Sequence, residues 1–137
     1  MALAIVWSSN ASVEAKENLI ISLYDLYENL YQYNFSEPSG SMWWNSLAYQ
    51  FHVDSDTGQS RGSYSSEKLR IQDVMFETIK RILVIPSSAC QGAALHGLEH
   101  MRHPDTEQVI MDYIKSHPGL SKEDRQYTLA CITGEII

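Results

Sequence analysis

The chain has 137 residues, 44% of them hydrophobic, with 17 acids against 10 bases and a formal net charge of −7. That length and apolar content suit a single domain with its own core and argue against a disordered chain. Bases this sparse argue against a nucleic-acid groove, and no apolar run is long enough for a transmembrane helix. The opening Met1-Ala2-Leu3-Ala4-Ile5-Val6-Trp7 lacks a basic flank and is too short for the apolar core of a signal peptide, so a cytoplasmic location is expected.

The elements follow in chain order. A long helix is predicted over residues 12–33, with Leu19, Leu23, Leu26 and Leu30 as one stripe. Ile20, Tyr24, Tyr27 and Tyr31 form a second stripe one residue along. The tyrosines read first as core packing with hydroxyls at the rim. Flanked by Asp25 and Glu28, they also read as a recognition surface, because tyrosine offers large contact area at low entropic cost. Residues 34–41 form a linker rich in turn formers.

A short helix is expected over residues 42–52. Adjacent residues on a helix point about 100° apart. Trp43 and Trp44 are therefore both buried only if the helix has two neighbours; Trp43 with Leu47 is the expected core pair, and Trp44 the candidate for a groove edge. Residues 54–65 read as a mobile polar loop. Asp54-x-Asp56-x-Gly58 hints at a calcium loop, but the glycine is one position early and the terminal glutamate is missing, so no calcium site is assigned.

A helix follows over residues 66–85, with Leu69, Val74, Met75, Ile79, Ile82 and Leu83 apolar and Pro86 ending it. Residues 87–114 form two helices around a corner at His103-Pro104-Asp105. Ser87 or Ser88 caps the first, and Ala93, Ala94 and Gly97 leave room for another helix to approach it. Val109, Ile110, Tyr113 and Ile114 are the stripe of the second. After His117-Pro118-Gly119, Ser121-x-x-Asp124 resembles a capping box, opening a last helix with Tyr127, Ala130, Cys131 and Gly134 on one face. Cys90 and Cys131 read as buried small hydrophobes rather than a disulfide. The sum is an all-α fold in one domain over residues 1–137, about six helices stacked as an irregular solenoid, with helix pairs clearest in residues 66–137.

The charge is unevenly placed. The first sixty residues hold Glu14, Glu17, Asp25, Glu28, Glu37, Asp54 and Asp56 against the single base Lys16, while the remainder is nearly balanced. Such a field repels nucleic acid and acidic membranes and speeds encounter with a basic partner. The plain alternative is an acidic surface that only keeps the protein soluble. The sharpest chemical cluster is His96, Glu99, His100 and His103, at i, i+3, i+4 and i+7 of one helix. Histidines four apart can share a metal ion, so a small metal-binding enzyme using His96, His100 and His103 is the rival from another class. The order does not match the protease pattern His-Glu-x-x-His, and the expected role is the polar face of the helix. No nucleophile elbow and no phosphate loop occur. Neither catalysis nor a cofactor is expected.

The run AALHGLEHMRHPDTEQVI resembles the HEAT-like repeat pattern, whose members are usually scaffolds for binding macromolecules. More widely, Met42-Trp43-Trp44, the helix end at Ile82-Leu83, the segment Cys90-Gln91-x-Ala93-Ala94-Leu95-His96-Gly97-Leu98-x-His100 and the final helix with Tyr127 are similar to small bacterial HEAT-like immunity proteins of polymorphic toxin and contact-dependent growth inhibition systems. The match covers residues 42–137 and departs from the pattern at Asn45 and Glu99. The resemblance implies a protein that binds a cognate toxin domain, of basic nuclease type, and blocks its active site, with no nucleic acid or membrane partner. The expected contacts are Tyr24, Asp25, Tyr27, Glu28 and Tyr31, then Asp54 and Asp56 on the loop and His96 and His100 on the central helix. A general helical-repeat scaffold is a further alternative.

Overall fold

The computed structural model describes residues 5–8, 10–33 and 39–133, without the side chains of Ile5, Ser8, residues 39–43, Asn45, His52, Ser55 and Asp56. The chain is all-α: among the described residues there is no strand. The helices are α1 (Ile5–Ser8), α2 (Val13–Leu26), α3 (Ser39–Asp56), α4 (Ser66–Leu83), α5 (Ser88–Met101), α6 (Thr106–Ser116) and α7 (Lys122–Thr133). Two linking pieces are a π-helical turn over Tyr27–Tyr31 and a 3-10 turn over Arg61–Ser63.

Hydroxyls start four of these helices by accepting a backbone N–H three residues on. Ser12 accepts from Ala15, Ser65 from Lys68, Ser87 from Cys90 and Ser121 from Asp124. The first long helix is therefore where its periodicity puts it, but its last turn widens to a π-turn at Tyr27. The Tyr27 carbonyl then accepts from the Gln32 N–H at 3.1 Å and from the Cys90 thiol at 3.6 Å. This ties the end of α2 to α5.

α3 is longer than its sequence suggests and absorbs the start of the polar loop. Its end is a cap. Gly58 takes φ +86°, and the Gln59 N–H donates back to the Asp54 carbonyl at 2.7 Å, the closure that a left-handed glycine permits. A Cβ on Gly58 meets nothing within 4 Å, so Gly58→Ala isolates the backbone strain. We expect it to cost about 1 kcal/mol. Gly92, inside α5, also has open space around a notional Cβ, and there alanine should gain about 1 kcal/mol. Urea unfolding of the two variants checks this opposition.

α5 is the central element. It packs on α3, α4 and α7; α2 lies on α4, and α6 on α7. The α3 contact is close because Gly97 has no side chain: a Cβ there would stand 3.0 Å from Trp44 Cβ and 3.1 Å from Ile79 Cδ1. The small face formed by Ala93, Ala94 and Gly97 thus receives a helix, as its composition predicts. The tryptophan that fills this face is Trp44, fully buried and stacked on Tyr27 with ring centroids 6.2 Å apart. This corrects the assignment of Trp44 to a groove edge; the side chain of Trp43 lies outside the described residues. Leu47, Ala48 and Phe51 continue the buried line of α3, and the Trp7 indole closes it, donating to the Leu47 carbonyl at 3.2 Å.

On α7 the buried positions are Thr128 and Cys131, whereas Tyr127 is exposed. Of the predicted face, Cys131 is buried as expected, Ala130 is half-buried and Tyr127 points outward, while Gly134 lies outside the described residues. Cys90 and Cys131 are both free and buried. Burial, then the charge of Glu99, pushes the Cys131 thiol up to about 12, which leaves it chemically inert at neutral pH.

Candidate functional site

Two groups of side chains stand out: a strip along α2 and a cluster on α5. The strip begins with a charge rearrangement that no reading of the linear chain contains. α2 lies on α4, and the bases of α4 face the acids of the first sixty residues. Arg70 pairs with Glu17 at 2.8 Å and stands 3.9 Å from Glu14. Lys68 pairs with Asp54, and Lys16 reaches back to Glu67 at 3.5 Å. Three of the seven acids of the first sixty residues, Glu14, Glu17 and Asp54, thus have a base of α4 beside them. Asp25 and Glu28 remain exposed, and neither forms an ion pair with a base among the described residues. Glu37 and the side chain of Asp56 lie outside the described residues.

Beside these two acids, Tyr24 is half-buried under Arg81, whose guanidinium carbon sits 4.0 Å from the ring centroid. Burial, then the neighbouring Glu28 carboxylate, pushes the Tyr24 phenol up. Ile21 is 42% exposed one turn earlier. It forms one wall of a shallow groove of about 290 Å³ with Val74, Thr78 and Arg81 of α4. Two of the sequence candidates are withdrawn from this surface. Tyr27 is fully buried, edge-on to half-buried Tyr31 with centroids 5.1 Å apart. Asp54 is 4% exposed and turned inward. It accepts from Gln50 at 3.0 Å and from Lys68, so its carboxylate serves the core and not a loop.

The second group corrects the histidine row. α5 stops one residue earlier than the proline implies, because Arg102 takes the left-handed conformation with φ 60°. That turn swings His103 off the helix axis. Its ring stacks on Phe76 at 3.9 Å, its Nδ1 accepts from the Asp105 N–H at 3.1 Å, and its Nε2–H therefore donates to Asp73 at 2.9 Å. With both nitrogens engaged, His103 is a clamp for the α5–α6 corner and is not available to a metal. Gln72 completes the corner by donating to the Met101 carbonyl at 3.1 Å, and Arg61 binds both Gln72 and Asp73. Burial alone would raise the Asp73 carboxyl, but the hydrogen bonds from His103 and Arg61 outweigh it and hold it below the usual range.

His96, Glu99 and His100 stay together. Glu99 is 1% exposed and so is not part of a solvated polar face. His100 Nε2 lies 3.1 Å from Glu99 Oε2, and the two imidazoles meet edge-on with centroids 4.6 Å apart. Burial lowers the His96 pKa, which favours the neutral ring.

Sequence reasoning overlooked the surroundings of α6. Tyr113 and His117 line a cleft of about 220 Å³ with Leu83, Val84 and Val109, and another of about 270 Å³ with Leu95, Leu120 and Tyr127. The tilted ring contact of Tyr113 and His117 at 4.2 Å is an i, i+4 pair, which the sequence spacing does carry. Both clefts fall short of the ~300–1,000 Å³ common for small-molecule pockets. None of the sequence candidates lines either. Compared with protein families, curated proteins and solved structures, the chain has no match.

Proposed function

We propose that this protein is a non-catalytic binding partner of the immunity type, which holds a basic toxin domain and blocks its active site. The observation that carries the reading is the pair Asp25, on α2, and Glu28, on the π-turn that follows it, exposed acids with no ion pair to a base among the described residues, close to Tyr24 and the apolar groove at Ile21. An apolar groove with exposed acids further along the same stretch of helix suits a basic protein surface: apolar contact supplies affinity, and the acids supply steering and register. The HEAT-like stacking of helix pairs, the resemblance to immunity proteins and a cytoplasmic location belong to the same reading. No helix among the described residues is long and apolar enough to cross a membrane.

The test is co-purification with the tagged product of the adjacent gene, followed by binding kinetics. Asp25→Lys with Glu28→Lys should slow association at least about tenfold at low salt, since loss of complementary charge acts mainly on the on-rate. Both side chains are exposed, so the fold should be unaffected. A complex whose contacts come only from residues 100–137 would refute the reading.

A further inference from the structure

His96, Glu99 and His100 present one ligand atom each, all within 4.8 Å of one another, on a single turn of α5. We propose that this turn binds one divalent transition-metal ion, zinc foremost, through those three side chains. The argument is geometric. Nitrogen and oxygen ligands at about 2.0–2.1 Å from a shared tetrahedral zinc ion stand about 3.3–3.4 Å apart. Glu99 and His100 stand a few tenths of an ångström closer than that, at 3.1 Å between Oε2 and Nε2, and a small side-chain shift admits the ion. His96 closes the remainder by a side-chain rotation that its half-buried position permits.

The chemistry of the set selects the ion class. Two imidazoles with one carboxylate suit zinc and its neighbours in the first transition row. Calcium and magnesium are disfavoured, since they take six or more oxygen ligands or keep their own water and the turn offers a single carboxylate. The setting also favours a cation. Glu99 is held in the interior by the packing of α5 on α7, where its charge reaches Cys131, and a buried carboxylate is stabilised by compensating positive charge. An ion held between Glu99 and His100 would supply charge of that sign. Three protein ligands leave a coordination position open to water or to a donor from a partner. His103, clamped between Asp73 and the Asp105 N–H, takes no part.

The experiment is a zinc titration of tag-free full-length protein against a chromophoric chelator, with cobalt(II) substitution as a spectroscopic check. The expected result is one ion per chain and visible d–d bands of low-symmetry cobalt. His96→Gln and His100→Gln should each weaken affinity by about 100-fold or more, as direct ligands outrank the outer-shell groups whose loss costs 10–100-fold. His117→Gln should leave it unchanged. Because His100 also contacts Glu99, His100→Gln is read only if circular dichroism shows it folded; otherwise half-exposed His96 decides. Binding no tighter than millimolar, or zinc affinity unchanged in His96→Gln, would overturn the proposal and leave a charge contact between Glu99 and His100.

Discussion

Truncating Trp44 to alanine should lower the free energy of unfolding by about 4 kcal/mol, within the range for removing a buried tryptophan or phenylalanine from a rigid core. The size follows from position. Trp44 is fully buried, stacks on Tyr27 and fills the notch that Gly97 opens in α5. It thus joins α3, α5 and the end of α2, and the cavity left behind cannot collapse without moving three helices. Its indole N–H has no hydrogen-bond acceptor among the described residues, so Trp44→Phe loses no polar contact and should cost only about 1 kcal/mol. Urea denaturation followed by circular dichroism separates the two variants. A Trp44→Ala protein within 1 kcal/mol of wild type, by that same scale, would show that α3 does not sit in the Gly97 notch.

Lys68→Met should be the second severe change, at about 3 kcal/mol, because it strands a buried carboxylate. Asp54 is 4% exposed, and Lys68 supplies its counter-charge while lying over the Tyr64 ring at 4.3 Å and near Phe51 at 5.5 Å. Gln50 still donates to Asp54 in the variant, which keeps the loss at the lower end of the range. The methionine retains the apolar stem that packs on the two rings, so the effect reports on charge. Adding Asp54→Asn removes the stranded charge and should restore most of the stability, giving a double-mutant coupling well above the ~0.5 kcal/mol scatter of independent sites. Lack of rescue would mean that the loss in Lys68→Met does not come from a stranded charge at Asp54.

These two sites mark where reading the chain fell short. Trp43 and Trp44 are adjacent and chemically equal, and periodicity alone gives no reason to bury one before the other. The choice depends on which side of α3 meets the Gly97 notch. Asp54 in a polar run looks like a loop acid, yet Gly58 extends the helix past it and aims it at Lys68. The Asp-Thr-Gly sequence did carry a helix-stop signal, obscured by its likeness to a calcium loop. The acidic strip was half legible: Asp25 and Glu28 are exposed as expected, while Tyr27 continues the buried line of Ile20 and Leu23 and stacks on Trp44, the core role of the tyrosine stripe and not the recognition one.

What the sequence by itself determined is the all-α class, the helix order and most helix starts. Those rest on short-range causes: serine hydroxyls three residues from a free N–H, apolar spacing of three and four, and proline or glycine at the breaks. Only the tertiary structure decided which acids keep their charge facing solvent and which histidines stand together. Arg70 and Lys68 reach acids of distant α2 and α3 because α4 packs against α2 and its start comes near the end of α3 at Asp54. His103 leaves the row, and Glu99 enters the interior, because one left-handed residue at Arg102 and the packing of α7 redirect them. Charge and ligand geometry are set by distances between segments far apart in the chain, and no local pattern encodes those distances.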